Sequence, residues 1–395
     1  MPNIPTYDVL VIGGGPAGAV AAGLLARGSV RVALVEQKTF PRQKVCGEFL
    51  SAAARVVLSD MGLLSEFDSV AGPAMRRVWV CPPYAAVVEG RFCPDAAGEY
   101  PRAIARDTLD YMLLNQAQQF GAAIYQPCHV VRVIGGAARG FTIERREGTP
   151  LRSRMVVLAH GLAARGDMAH GPSDAVAHRG YLCFKTHLSS ADLPDDVTAI
   201  GGMRGVYAGL IRTSEATEGR VGREDRPGRY NFACVASRSA MQAGGGPEGV
   251  LRQVKLVNPH FGRMLAGSQP MSPFYASGPL APGVRQTYHD GRFFVGNAAG
   301  EVHALVGEGM TLAMLSGRLL AQTILAYGDC CSKPDEAGRA YSRMWHREFA
   351  NRYLAGNIFS RVLMNPLASA MAAGALDAFP ELMQWCMRFS GKPAA

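Results

Sequence analysis

Residues 7–36 read YDVLVIGGGPAGAVAAGLLARGSVRVALVE, and this stretch decides the fold. Residues 7–12 are short, apolar and rich in branched side chains, the pattern of a buried strand. The Ala-rich run 16–27 predicts a helix closed by Gly28, and 31–36 predicts a second strand. Strand, helix and strand make a βαβ unit of about 30 residues. The turn Gly13-Gly14-Gly15-Pro16-Ala17-Gly18 fits G-x-G-x-x-G in the context that gives this motif meaning. Gly13 makes the tight turn, Gly15 lets the backbone approach a diphosphate, and Gly18 lets helix and strand pack closely. The diphosphate of a dinucleotide would lie at the helix N-terminus, where free N–H groups favour negative charge. Glu36, with Gln37 beside it, ends the second strand where a carboxylate accepts the ribose hydroxyls. A negative charge there argues against a ribose 2′-phosphate.

Outward from this unit, 76–92 reads as short strands and 101–120 as a helix ended by Gly121. HVVRVIG and FTIERRE, from His129 and Phe141, read as a hairpin, and MVVLAHG from Met155 as another strand of the nucleotide domain. Residues 181–240 are strand-rich, with a polar loop over 214–229. RFFVG at 292–296 predicts a last strand, a helix follows from about Gly309 to Tyr327, and 335–395 reads as helical. The expected fold class is α/β: a Rossmann-like dinucleotide domain (1–75, 93–180 and 283–330), an inserted antiparallel-sheet substrate domain (76–92 and 181–282) and a helical C-terminal region (331–395). Such interleaving builds a cleft between two domains, a usual place for a ligand.

The chain has 395 residues, an apolar fraction of 48% and a charged fraction of 18%, which suits a globular protein with more than one core. Its net charge of +9 is dispersed, with no basic block interleaved with aromatics, and this argues against nucleic acid as a partner. Nine cysteines with no C-x-x-C pair, Cys330 and Cys331 being adjacent, read as reduced thiols in the cytoplasm. No signal peptide and no run of about 18 apolar residues stand out, so no transmembrane span is expected. The spacing of Asp, Glu, His and Cys suggests no metal site.

A second glycine-rich segment, RFFVGNAAGEVHALVGEGMTLAM from Arg292, has the shape of a strand, a small-residue turn and a helix start at Gly307-Glu308-Gly309-Met310. It reads either as a lid whose helix terminus faces a redox ring or as an ordinary helix start. With GGGPAG and Glu36, FPRQKVCGEFLS at 40–51, Arg106-Asp107 with Leu109-Asp110, and GNAAG followed by GEGM, the chain resembles the FAD-dependent hydroxylase and geranylgeranyl reductase superfamily, which also holds flavin-dependent halogenases. The resemblance spans most of the first 320 residues. It implies FAD as cofactor, with NAD(P)H or a separate flavin reductase as the electron source. By resemblance, Arg42 and Lys44 flank the cofactor, Cys46 and Gly47 lie beside the isoalloxazine, Arg106 reaches the diphosphate or ribityl chain, and Val130 contacts the adenine through its backbone. Gly296, Asn297 and the segment to Met310 then cover the ribityl chain and the pyrimidine edge.

Departures qualify the resemblance. Asn297 stands where the family has Asp, Ala304 where it commonly has Pro, and His160-Gly161 where hydroxylases carry the Asp-Gly tied to NADPH. At 207–212 Tyr-Ala-Gly-Leu-Ile-Arg keeps the Tyr of the reductase segment but lacks the Trp and Pro of reductases and halogenases. The resulting expectation is an FAD-dependent oxidoreductase acting on a lipophilic or aromatic small molecule: a monooxygenase first, a C=C reductase or dehydrogenase second, a halogenase last. Cys46 and His303 are the candidate catalytic residues. Cys46 alternatively reads as a packed thiol, His303 as a satisfied structural histidine, and Arg106 as a helix-surface ion pair. Tyr181, Phe184, Met203, Tyr207, Leu210 and Phe232 are candidate pocket residues or simply core. The apolar face of Met344, Trp345, Phe349, Tyr353, Ile358, Phe359, Val362, Leu363 and Met364 roofs a lipid-sized pocket, meets a membrane or carrier protein, or is an ordinary helix pair.

Overall fold

A computed structural model describes residues 4–161, 180–213, 229–328 and 333–379, with 381, 382 and 385. Residues 214–228 of the expected polar loop and the Cys330–Cys331 pair lie outside the described residues.

The strand Thr6–Ile12 is flanked in parallel by Val32–Val35 and by Leu151–Leu158, and Arg292–Phe294 runs parallel to the latter. Ala123–Tyr125 closes the far edge. The hairpin of Val130–Gly136 and Gly140–Arg145 joins the sheet beside Leu151–Leu158. Thr6–Ile12 has no polar side chain in its buried half because it is an interior strand, flanked by parallel partners and enclosed in the main core. The helix Pro16–Arg27 packs against Arg106–Gln119 and against Gly309–Ala326. Gly309–Ala326 is long and apolar enough to cross a membrane by length and composition, where the sequence led us to expect no such run. Its Met314, Leu319, Leu320 and Ile324 lie instead in the main core.

The second sheet has seven strands, in the order 275–280, 181–188, 230–236, 206–212, 197–203, 77–81 and 88–91. Its pairings are antiparallel except that Val197–Met203 runs parallel to Arg77–Cys81. These two strands come from remote parts of the chain, so no hairpin forces them antiparallel.

The helix expected over 101–120 begins only at Arg106. Arg102–Ala103 instead pairs as a strand with Phe49–Leu50, which buries Ala103 and fixes the chain entering the helix. The helices Arg238–Gly244, Pro247–Val257 and Pro259–Met264 cover the second sheet and were not foreseen. Toward the C-terminus, Pro334–Leu363 is one long helix, followed by Pro366–Ala378. On the long helix Trp345, Phe349 and Tyr353 face inward and join the main core.

Candidate active site

The turn at 13–18 is built as its sequence demands. Gly13 has φ +110°, and a Cβ there would lie 2.4 Å from the Ala159 carbonyl oxygen. A Cβ on Gly18 would lie 1.9 Å from the Gly13 oxygen, so Gly18 is a packing residue beneath the turn. Gly15 differs: nothing lies within 4 Å of its missing Cβ. Its open side faces the cleft, the space a diphosphate needs at the N-terminus of Pro16–Arg27. Glu36 is buried, accepts from the backbone N–H of Gly14 at 2.7 Å and of Lys38 at 2.9 Å, and lies 3.8 Å from Arg42.

Four adjoining cavities, each sharing lining residues with the next, run from this turn along the near face of the second sheet. The widest, about 900 Å³, is lined by Gly13, Gly15, Glu36, Gln37, Arg42, Lys44, Val130 and His160, and suits the adenosine half of a dinucleotide. It shares Gly15, Lys44, Ala159 and Ser277 with a second cavity of about 180 Å³. Pro16, Ala17, Cys46, Gly47, Arg106, Gly296, Asn297, Gly307, Gly309 and Met310 line the second cavity. Most of the cofactor residues expected from sequence therefore meet along one continuous space. Gly18 and Glu308 do not line it. Glu308 is fully buried at the cap of Gly309–Ala326, where its carbonyl accepts from Leu312.

Three cations border the diphosphate end. Burial, with the charges of Arg106 and Arg42, pushes Lys44 down to about 8. Arg106 is buried and gives Asp110 a bidentate pair at 2.8 and 2.6 Å, so it is both the ion pair and a wall of the cavity. Crowded cations of this kind want an anion between them. With the room beside Gly15, they fit the diphosphate of FAD.

Beyond Cys46 and Gly47 lies a third cavity of about 140 Å³, lined by Phe49, Val78, Phe92, Cys183, Phe184, Ile200, Tyr207, Leu210, Cys234 and Leu305 among others. Among the described residues its lining contains no Asp, Glu, His, Lys or Arg. Burial pushes the Cys183 thiol up to about 12, and raises Cys234 and Tyr207 as well, so all three keep their protons near neutral pH. Of the expected pocket residues Phe184, Tyr207 and Leu210 line this cavity. Met203 and Phe232 sit in the core of the second sheet, and Tyr181 meets His303 edge-on. Val78, Ile200, Leu305 and Val306 lead on to an outer cavity of about 370 Å³, walled by Ile358, Phe359, Val362, Leu363, Ala372, Ala373 and Leu376.

His303 lines none of these four cavities. It is fully buried, its Nδ1 accepts from the Leu305 N–H at 3.2 Å, and Tyr181 and Tyr207 stack edge-on against it. Burial lowers it to about 4, so it is neutral at physiological pH. Its side chain thus caps the turn Ala304–Val306, while its Nε2 has no hydrogen-bond partner among the described residues.

One cluster escaped the sequence reading. Glu48, fully buried at φ +59°, accepts from Lys185 Nζ at 2.5 Å and from His187 Nε2 at 3.0 Å. Lys185 also donates to Gln43 at 2.9 Å, and Arg229 donates to His187 Nδ1 at 2.9 Å. Asn231 donates to the Cys46 carbonyl at 3.1 Å. Together these bonds bolt the 43–48 segment, which walls the cofactor cavity, to the second sheet. Lys185 and His187 alternate on one strand and so share a face, but nothing local ties them to Glu48, some 137 residues away.

Residues 6–163 match the FAD binding domain family model. Digeranylgeranylglycerophospholipid reductase 1 of Methanopyrus kandleri is 24% identical, over 88% of each chain. Among solved structures, the flavin-dependent brominase Bmp2 superposes with TM-score 0.75 at 18% identity, covering 98% of this chain and 93% of the brominase. A geranylgeranyl bacteriochlorophyll reductase-like protein of Thermoplasma acidophilum also gives 0.75, at 19% identity over 94% and 91%. The chain is an FAD-dependent oxidoreductase. It carries an FAD-binding domain and shares the fold of a flavin-dependent brominase and of a geranylgeranyl reductase-like protein.

Proposed function

We propose that the protein reduces a C=C bond in an elongated, lipophilic molecule. The observation that carries this reading is the inner cavity beyond Cys46: it is apolar, holds proton donors but no charged base, and continues into an outer apolar cavity. Bound FAD supplies two-electron chemistry, with the electrons coming from NAD(P)H or a separate flavin reductase. Adding hydride to one carbon of a double bond requires a proton at the other. Cys46 lines both the cofactor cavity and the inner cavity, so its thiol stands at the junction where that proton is needed. Tyr207, Cys183 and Cys234 are further donors on the walls of the inner cavity. The proton leaves the donor for carbon and is restored from solvent after the product departs, so the donor ends unchanged. The apolar lining excludes water and grips a chain-like substrate without polar recognition.

The resemblance to a reductase across most of both chains supports this order of preference. Hydroxylation, the first expectation from the sequence, becomes the second reading, favoured by the same water-excluding cavity, which would protect an oxygen-transfer step. The limits 76–92 and 181–282 stand as our proposed substrate domain. Free Cys46, Cys81, Cys93, Cys128, Cys183 and Cys234 support a reducing, cytoplasmic setting.

The test is mass spectrometry of a polyprenyl substrate incubated with reduced holoenzyme. Under nitrogen, a gain of two hydrogens supports reduction. A product formed only in air with one added oxygen atom overturns it in favour of hydroxylation. Ile200→Trp, which narrows the junction of the two apolar cavities, should cost turnover of long substrates far more than of short ones.

A further inference from the structure

The helix Pro366–Ala378 is apolar on every side. Ser369, Ala372, Ala373 and Leu376 face the outer cavity, while Leu367 is 73% and Met371 78% exposed on the opposite face. Asp377 is its one charged residue. A helix apolar all round is normally buried or in contact with lipid, and this one has just two buried residues. Beside it, the helix Pro334–Leu363 exposes Leu354 and Ile358. Arg343, Arg347 and Arg361 are exposed on the same helix. At 100° per residue these five positions fall within an arc of about 60°. Ile358 also walls the outer cavity, so the exposed face and the mouth of the passage are continuous.

We propose that this face docks on a lipid surface carrying anionic headgroups, with the outer cavity opening toward the acyl region. The occupant follows from two features together. Arginines flanking exposed leucine, isoleucine and methionine match a negatively charged interface. An apolar passage whose mouth opens on that face lets a lipophilic substrate move from bilayer to cofactor without crossing water. The proposal rests on the reading of the substrate as lipophilic, but its test reads binding, not turnover.

Full-length holoenzyme is sedimented with vesicles of phosphatidylcholine alone and with vesicles containing phosphatidylglycerol. Three arginines near the surface should favour the anionic vesicles by about 100-fold at low salt, with the preference shrinking as salt rises. Leu367→Glu/Met371→Glu should abolish binding. Arg343→Glu/Arg347→Glu should erase the headgroup preference. Both variants should keep their flavin spectrum, since none of these residues lines the passage. Failure of the wild-type protein to bind anionic vesicles overturns the proposal. So does a concentration-dependent dimer that Leu367→Glu/Met371→Glu converts to monomer without any vesicle binding, because the face would then join two copies. Either failure accompanied by turnover of a detergent-dispersed substrate would leave the proposed reaction standing.

Discussion

Replacing Lys185 by Met isolates the energetics of the cluster behind the cofactor wall. Lys185 and Glu48 are both fully buried, 2.5 Å apart, and Glu48 receives its other hydrogen bond from His187. Burial alone would raise the Glu48 carboxyl, yet the His187 hydrogen bond and the Lys185 charge together hold it below the usual carboxylate range. Removing Lys185 leaves a carboxylate in the interior with only the His187 ring as side-chain partner, and breaking a buried pair in this way costs about 3–5 kcal/mol. That is a large share of a typical stability of about 5–15 kcal/mol. Removing both charges with Glu48→Gln/Lys185→Met should recover most of the loss, because a buried pair adds little beyond a neutral replacement. The assay is urea unfolding of the holoprotein at pH 7 for the wild type, each single variant and the double variant. A depressed carboxyl stabilises above its unfolded value and loses that contribution as pH falls through its folded value. The wild-type stability should therefore decline in acid below about pH 4 through this group. In Lys185→Met the carboxyl should rise and titrate at higher pH. A loss under about 1 kcal/mol for Lys185→Met, or a double variant no better than the sum of the singles, would refute the reasoning.

Other outcomes follow from the same geometry. Gly15→Leu should fold yet fail to retain FAD, since its side chain enters open space that a diphosphate needs. A variant with normal flavin content would remove the assignment of that turn. Lys44 stands at about 8 without an anion beside it, and a diphosphate would raise it, so binding takes up a proton above that pH. FAD affinity measured by fluorescence quenching should be flat below pH 8 and fall above it, and Lys44→Met should flatten the profile. Because burial holds His303 at about 4, its neutral form is the folded one, and stability is lost as pH falls below about 6.5. His303→Gln, compared with wild type in thermal unfolding, should reduce that acid sensitivity and leave the pH profile of turnover unchanged.

The local signals were strong where the chemistry is local. Thr6–Ile12, the glycine turn, Pro16–Arg27 and Val32–Val35 were legible because period, turn residues and acid all fall within one short βαβ unit. The second glycine segment and the helix from Gly309 were legible for the same reason, although Glu308 and His303 proved to be buried capping positions rather than cavity walls. The short strand at Arg102–Ala103 was not, because its partner Phe49–Leu50 is remote in sequence and pairing overrode helical spacing.

By itself, then, the sequence determined a dinucleotide turn, the FAD class and two kinds of sheet, since each is written in spacing along one stretch of chain. Only the tertiary structure decided which residues share a wall. It joined the cavities into one passage, and it brought Glu48 to Lys185 and His187 across 137 and 139 residues. It also left the outer face of Pro366–Ala378 exposed. The physical reason is that charge pairing, cavity continuity and exposure depend on distances between segments, which hydrophobic period and turn chemistry do not encode.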